Sequence, residues 1–106
     1  MVDVAHDRQV LERLCDRLRV TSDTALVRPR DELKGASVAT AVHELCTWAA
    51  EAGQAPGEVP VLHPLSSADQ LAVIGREFLD LVELDEPVAS SLGHWRSAIE
   101  RLRRAV

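Results

Sequence analysis

The stretch VASSLGHWRSAIERLRRAV, residues 88–106, decides how the rest of the chain is read, because Val88, Leu92, Trp95, Ile99, Leu102 and Val106 recur at alternating steps of four and three. That spacing sets all six side chains on one stripe of an α-helix, which turns once in about 3.6 residues. A helix of this kind is marginal alone in water and persists only where its stripe is covered. The chain must therefore contain further stripes.

Three more are present. Val4, Leu11, Leu14, Cys15 and Leu18 line one face of a helix over about residues 4–20, with Asp3 placed to cap it and Arg8, Glu12, Arg13, Asp16, Arg17 and Arg19 opposite. Val38, Val42, Leu45, Ala49 and Ala52 repeat the four-three spacing, widened by Leu33, Ala41 and Trp48, so a second helix is predicted over about 31–52 and Gly53 is its stop. Gly35 weakens its first turns by about 1 kcal/mol relative to Ala, which allows regular helix to start as late as Ala36. Leu71, Ile74, Phe78, Leu81 and Val82 define a third helix over about 67–84, where Ser67 and Gln70 match a capping box. Asp85, Glu86 and Pro87 make a turn and a capped start for the fourth, about 87–105. The reading is an all-α fold, a four-helix bundle-like single domain over 1–106.

Two connections are longer than a tight turn. Thr21–Arg30 carries the cap formers Thr21, Ser22 and Asp23 and the helix-limiting Pro29, so it is read as a connector with room for one short helical turn, its Ala25–Val27 docked on the bundle. In residues 54–65, Pro56, Pro60 and Pro64 fall four apart and forbid regular helix, while Val59, Val61, Leu62 and Leu65 are too apolar for a solvated linker. The segment is expected to pack across the bundle as a crossover or a functional loop.

The third helix is apolar over more than one face. Val73, Leu79 and Leu84 lie off its main stripe, and Ala72, Gly75, Leu79 and Val82 form a second line. Either the helix is central and touches several neighbours, or this second line packs on another subunit or partner, with Gly75 permitting close approach.

Composition sets outer bounds. The 106 residues, 46% hydrophobic and 27% charged, suit an ordinary globular chain that folds without metal or disulfide. No apolar run reaches membrane-spanning length, and the first twenty residues are too charged for a signal peptide, so the expectation is a cytoplasmic protein with no membrane partner. Cys15 and Cys46 sit in helical stripes and read as small buried hydrophobes, not a disulfide. One Lys against eleven Arg, with no Asn or Tyr, fits a GC-rich coding sequence and a bacterial source.

Charge is uneven: residues 66–86 sum to −5 and 87–106 to +3 within a net −5. A short turn between the last two helices would lay them antiparallel, with Arg96, Arg101, Arg103 and Arg104 answering Glu77, Asp80 and Glu83.

No catalytic, metal or cofactor motif is found. His43 and Cys46 share a helix face but lack further ligands, no Glu has a His three residues on, and Glu77, Asp80 and Glu83 read as a solvated acidic face. The five glycines form no phosphate loop, and no Ser occupies a nucleophile elbow. The sequence thus leans away from an enzyme and implies no cofactor.

Residues 32–45, ELKGASVATAVHEL, resemble the turn and second helix of bacterial helix-turn-helix regulators, with one extra residue between Leu33 and Gly35. The resemblance implies a recognition helix presenting Ser37, Ala39, Thr40 and His43 to the major groove. Against nucleic acid stands the absence of any cation between Gly35 and Glu58, where phosphate attraction would be needed.

The function expected from strong packing and no chemistry is a small protein-interaction or regulatory module, a homodimer or the partner of another protein. Val73 and Leu79 on the third helix and Leu62 and His63 in the loop are the expected contact residues. The alternatives are the helix-turn-helix regulator and a small-ligand bundle with a pocket near the 54–65 loop, formed by Trp48, His63 and Trp95.

Overall fold

A computed structural model describes residues 2–55 and 57–106. It is all-α among those residues: α1 Ala5–Arg19, α2 Asp23–Val27, α3 Val38–Ala52, α4 Ser67–Leu84, α5 Glu86–Ala89 and α6 Leu92–Ala105. Two 3-10 turns, Asp31–Leu33 and Pro64–Ser66, stand before α3 and α4. Pro56, the first of the three spaced prolines, lies outside the described residues. The helix-forbidding character of the segment holds at Pro60 and Pro64, with Pro64 opening the second 3-10 turn.

Each long helix buries most of the stripe written for it, with Ala52, Ile74, Leu81 and Val106 half-buried at the margins. Leu11, Leu14, Cys15 and Leu18 on α1, Val42, Leu45, Cys46 and Ala49 on α3, Leu71, Phe78 and Val82 on α4, and Leu92, Trp95, Ile99 and Leu102 on α6 join one core. α4 lies centrally, packed most extensively on α1 and α3, while α6 crosses α3 and the Asp31–Leu33 turn and touches α1. The second line on α4 is therefore internal: Ala72, Gly75, Leu79 and Val82 are all buried. Gly75 permits the close approach, since a Cβ there would stand 2.9 Å from a Leu11 methyl and 3.0 Å from the Trp95 ring.

Local corrections have local causes. Asp31–Ala52 is not one helix, because Lys34 and Gly35 adopt left-handed backbone (φ 56° and 89°), and α3 starts at Val38 with the Ser37 hydroxyl accepting from the Thr40 amide. The capping box at Ser67 and Gln70 does not form. The Pro64–Ser66 turn runs straight into α4, and Gln70 donates its side-chain amide to the Pro60 carbonyl at 2.8 Å. Asp3 accepts from the Ala5 amide at 2.9 Å, although Val4 holds the cap position. Thr21–Arg30 does carry its short helix, α2, capped by Ser22.

The last helix breaks at Ser90–Ser91 into α5 and α6. α5, capped by Asp85, stays beside α4, whereas α6 packs on α3 and the Asp31–Leu33 turn, and the expected antiparallel charge pairing is not formed among the described residues. Arg96 instead grips the buried Asp7 of α1 through two hydrogen bonds of 2.9 and 2.8 Å. Arg103 and Arg104 pair with Glu100 within α6. The acidic face of α4 is answered from α1: Arg8 reaches Asp80 and Glu83, and Arg19 reaches Asp69.

Candidate functional site

A cleft of about 320 Å³ opens between the Asp31–Leu33 turn, α3 and α6. Its floor is aliphatic and small, with Ala41 and Leu45 from α3 facing Ala98 and Leu102 from α6. The floor follows from the helix stripes, whose outermost members stop short of each other at alanines. One end is aromatic. His94 lies against Trp48 with ring centroids 4.3 Å apart, Trp48 against Phe78 at 5.4 Å, and Phe78 stacks on Trp95 at 5.0 Å. This row runs from the exposed His94 through half-buried Trp48 to Trp95, which is 1% exposed.

The rim is charged and of mixed sign: Glu32, Lys34, Glu44 and Arg101. None of the four enters an ion pair among the described residues, whereas Arg8, Arg19, Arg76, Arg96, Arg103 and Arg104 all do. The engaged groups carry the electrostatic signature of engagement. Hydrogen bonding to Asp80 and Glu83 raises the Arg8 guanidinium above its ordinary value, and the Arg76 contact holds the Glu12 carboxyl below its usual range.

The residues expected to form a pocket are thus divided. Trp48 lines the cleft, Trp95 backs it through Phe78, and His63 is absent from it. A second cavity of about 200 Å³ does lie where the 59–60 segment crosses α3 and α4, lined by Ala49, Gly53, Val59, Pro60, Ile74 and Leu81. It contains neither tryptophan nor His63. The His63 ring nitrogen Nδ1 accepts from the Leu65 amide at 3.1 Å and so caps the second 3-10 turn.

The sequence marks neither His94 nor Arg101 as a cleft residue, and Arg101 is expected only as a partner of the α4 carboxylates. The signal was available, since positions 94, 98 and 101 repeat the helical step beside the main stripe of α6, but a line containing one His, one Ala and one Arg has no apolar contrast to mark it.

The four expected contact residues separate in the same way. Val73 and Leu62 are exposed at 55% and 47%, and His63 is exposed too. Leu79 is 0% exposed, so it is a core residue and not a contact residue. Exposed apolar side chains gather instead in the loop, where Val61 and Leu65 join Leu62 at 83% and 58%. The segment is anchored by Gln70 at Pro60, by His63 at Leu65, and by α2 packed on the Pro64–Ser66 turn.

At the positions implied by the helix-turn-helix resemblance, Ser37 is the helix cap, Ala39 and His43 are half-buried, and Thr40 is exposed. The exposed side chains of α3 are Thr40, Glu44 and Glu51, a surface without cations. His43 leaves Nε2 buried without a hydrogen-bond partner.

Among the described residues, no three His, Cys, Asp or Glu side chains stand close enough to hold a metal, and no helix is long and apolar enough to cross a membrane. Cys15 and Cys46 are free, buried thiols, and burial pushes them up to about 11 and about 12. No known family matches this chain, nor does any of the curated proteins or solved structures compared with it.

Proposed function

We propose that the protein is an interaction module that pairs with a second copy of itself through the Val61–Leu65 segment. The observation that carries this reading is the concentration of Val61, Leu62 and Leu65 at the surface of a tethered segment. Contiguous exposed apolar surface mostly marks a contact site. A second copy is the favoured occupant because residues 59–65 contain no Asp, Glu, Lys or Arg. A twofold contact brings a patch against itself, which a patch of one charge sign resists and a neutral apolar strip does not. That matters in a chain of net charge −5.

Sedimentation velocity of the whole chain, with L62D/L65D beside it, tests the reading. The wild type is expected to dimerise with rising concentration, and the double variant to stay monomeric with unchanged helical circular dichroism. A wild type that remains monomeric up to about 1 mM, the concentration corresponding to about −4 kcal/mol, overturns self-association. The helix-turn-helix reading draws no comparable support, since the exposed part of α3 is acidic where phosphate contact would require cations.

A further inference from the structure

We propose that the Trp48–His94 cleft binds a small aromatic zwitterion, of the chemical class of the aromatic α-amino acids. Its volume of about 320 Å³ reaches the lower end of ligand-site volumes, which begin at about 300 Å³. The aliphatic floor and an aromatic wall suit a ring, and the exposed His94 beside half-buried Trp48 offers it an edge-to-face neighbour. His94, Ala98 and Arg101 climb α6 by two helical turns, about 10 Å along the axis, so Arg101 enters the cleft lining from farther along the helix than the aromatic wall.

Charge selects among aromatic ligands. Lys34 and Arg101 supply two cations, and Glu32 and Glu44 two carboxylates, all four free of ion pairs among the described residues. An aromatic carboxylate would serve the cations and face Glu44 uncompensated, while an aromatic amine would do the reverse. A neutral arene would serve neither. A molecule bearing both groups uses both signs, with Arg101 offering its planar fork to the carboxylate and Glu44 accepting from the ammonium. The turn that presents Glu32 and Lys34 is fixed before any ligand arrives: Gly35 donates its amide to the Arg30 carbonyl at 2.8 Å and Ala36 to that of Leu33 at 3.1 Å.

The test is titration of the whole chain with L-phenylalanine, 3-phenylpropionate and phenethylamine, read by calorimetry and by tryptophan fluorescence excited where phenylalanine does not absorb. L-phenylalanine is expected to saturate, with the two analogues weaker by about tenfold each. E44Q should weaken L-phenylalanine and tighten 3-phenylpropionate, whose carboxylate no longer faces an uncompensated charge. R101Q should weaken both L-phenylalanine and 3-phenylpropionate and tighten phenethylamine, which then meets one cation fewer. Both residues are exposed, so the variants are expected to fold, which circular dichroism checks. No saturation below about 10 mM, 3-phenylpropionate binding as tightly as L-phenylalanine, or indifference of L-phenylalanine to R101Q overturns the proposal.

Discussion

Replacing Gly75 with Ala tests how α1, α4 and α6 meet. The added Cβ would stand 2.9 and 3.1 Å from the two Leu11 methyls and 3.0 Å from Trp95 Cη2. Unstrained carbon contacts lie at about 3.5–4.0 Å, so something must move. Two effects oppose each other. Helix propensity favours Ala over Gly by about 1 kcal/mol, and overpacking a filled core costs about 1–3 kcal/mol. Leu11 and Trp95 are each 1% exposed, so the leucine has no empty rotamer to enter and the indole is rigid. Strain is expected to win, with a net loss of about 1 kcal/mol and a Tm lower by about 4 °C for a chain of this size. Urea unfolding followed at 222 nm measures the first, a thermal scan the second. Gly53→Ala is the control: its Cβ also meets a methyl at 2.9 Å, but that methyl ends the half-buried, flexible Leu81. The control should gain about 0.5 kcal/mol through the unfolded state. If strain is the cause, the cost of G75A shrinks in a Leu11→Ala background, where the two methyls are gone and only Trp95 Cη2 still meets the added Cβ. A wild-type chain stabilised by G75A, or a cost unchanged in both Leu11→Ala and Trp95→Phe backgrounds, refutes the tight crossing.

Other outcomes follow from the same packing. Leu79→Ala should cost about 2–5 kcal/mol and Leu79→Asp should abolish the folded helical signal, whereas Val73→Asp should change stability by less than about 0.5 kcal/mol in urea titrations. Asp7→Ala removes both hydrogen bonds to Arg96 and should cost about 1–2 kcal/mol, with a double-mutant cycle against Arg96→Ala returning most of it as coupling. Cys15 and Cys46 should resist thiol reagents at pH 8 until the chain opens, because their folded values of about 11 and about 12 leave almost no thiolate. Their ordinary value is 9.0, so the unfolded chain loses these protons first. The stability they contribute is fully present below pH 9 and is lost as pH rises through about 11–12. The slope of stability against pH above 9 should flatten in C15A/C46A, and an unchanged slope contradicts the assignment.

Helix faces were legible from the residues because burial selects a 3.6-residue period, and the stripes of α1, α3, α4 and α6 are those the spacing marks. Helix ends and neighbours were less so. The break at Ser90–Ser91 falls between Val88 and Leu92, which keep the four-residue step, so the apolar pattern passes over it without a mark. The start of α3 depends on a left-handed Lys34, a conformation no lysine advertises. Leu79 lies on a second apolar line of α4 that suits a central helix or an outside contact equally, and only the packing of α1 and α3 on both sides makes it core. The candidate cleft was half visible: Trp48 stands out by residue type, while His94 and Arg101 join it only through the way α6 crosses α3.

The position of α1 bears on the order in which the chain matures. Its main partner is α4, beginning at Ser67, and it also touches α6, beginning at Leu92. During synthesis, Leu11, Leu14 and Leu18 therefore stay in water until α4 has been made, and the Asp7 clasp stays open until Arg96 follows. Closing so long a span costs chain entropy before any contact offsets it. A cut in the 54–60 segment should leave two halves that each lack a cover, since α1 and α3 both need α4. Such halves should regain helical structure only on mixing, with the earliest helix among the last pieces to be secured.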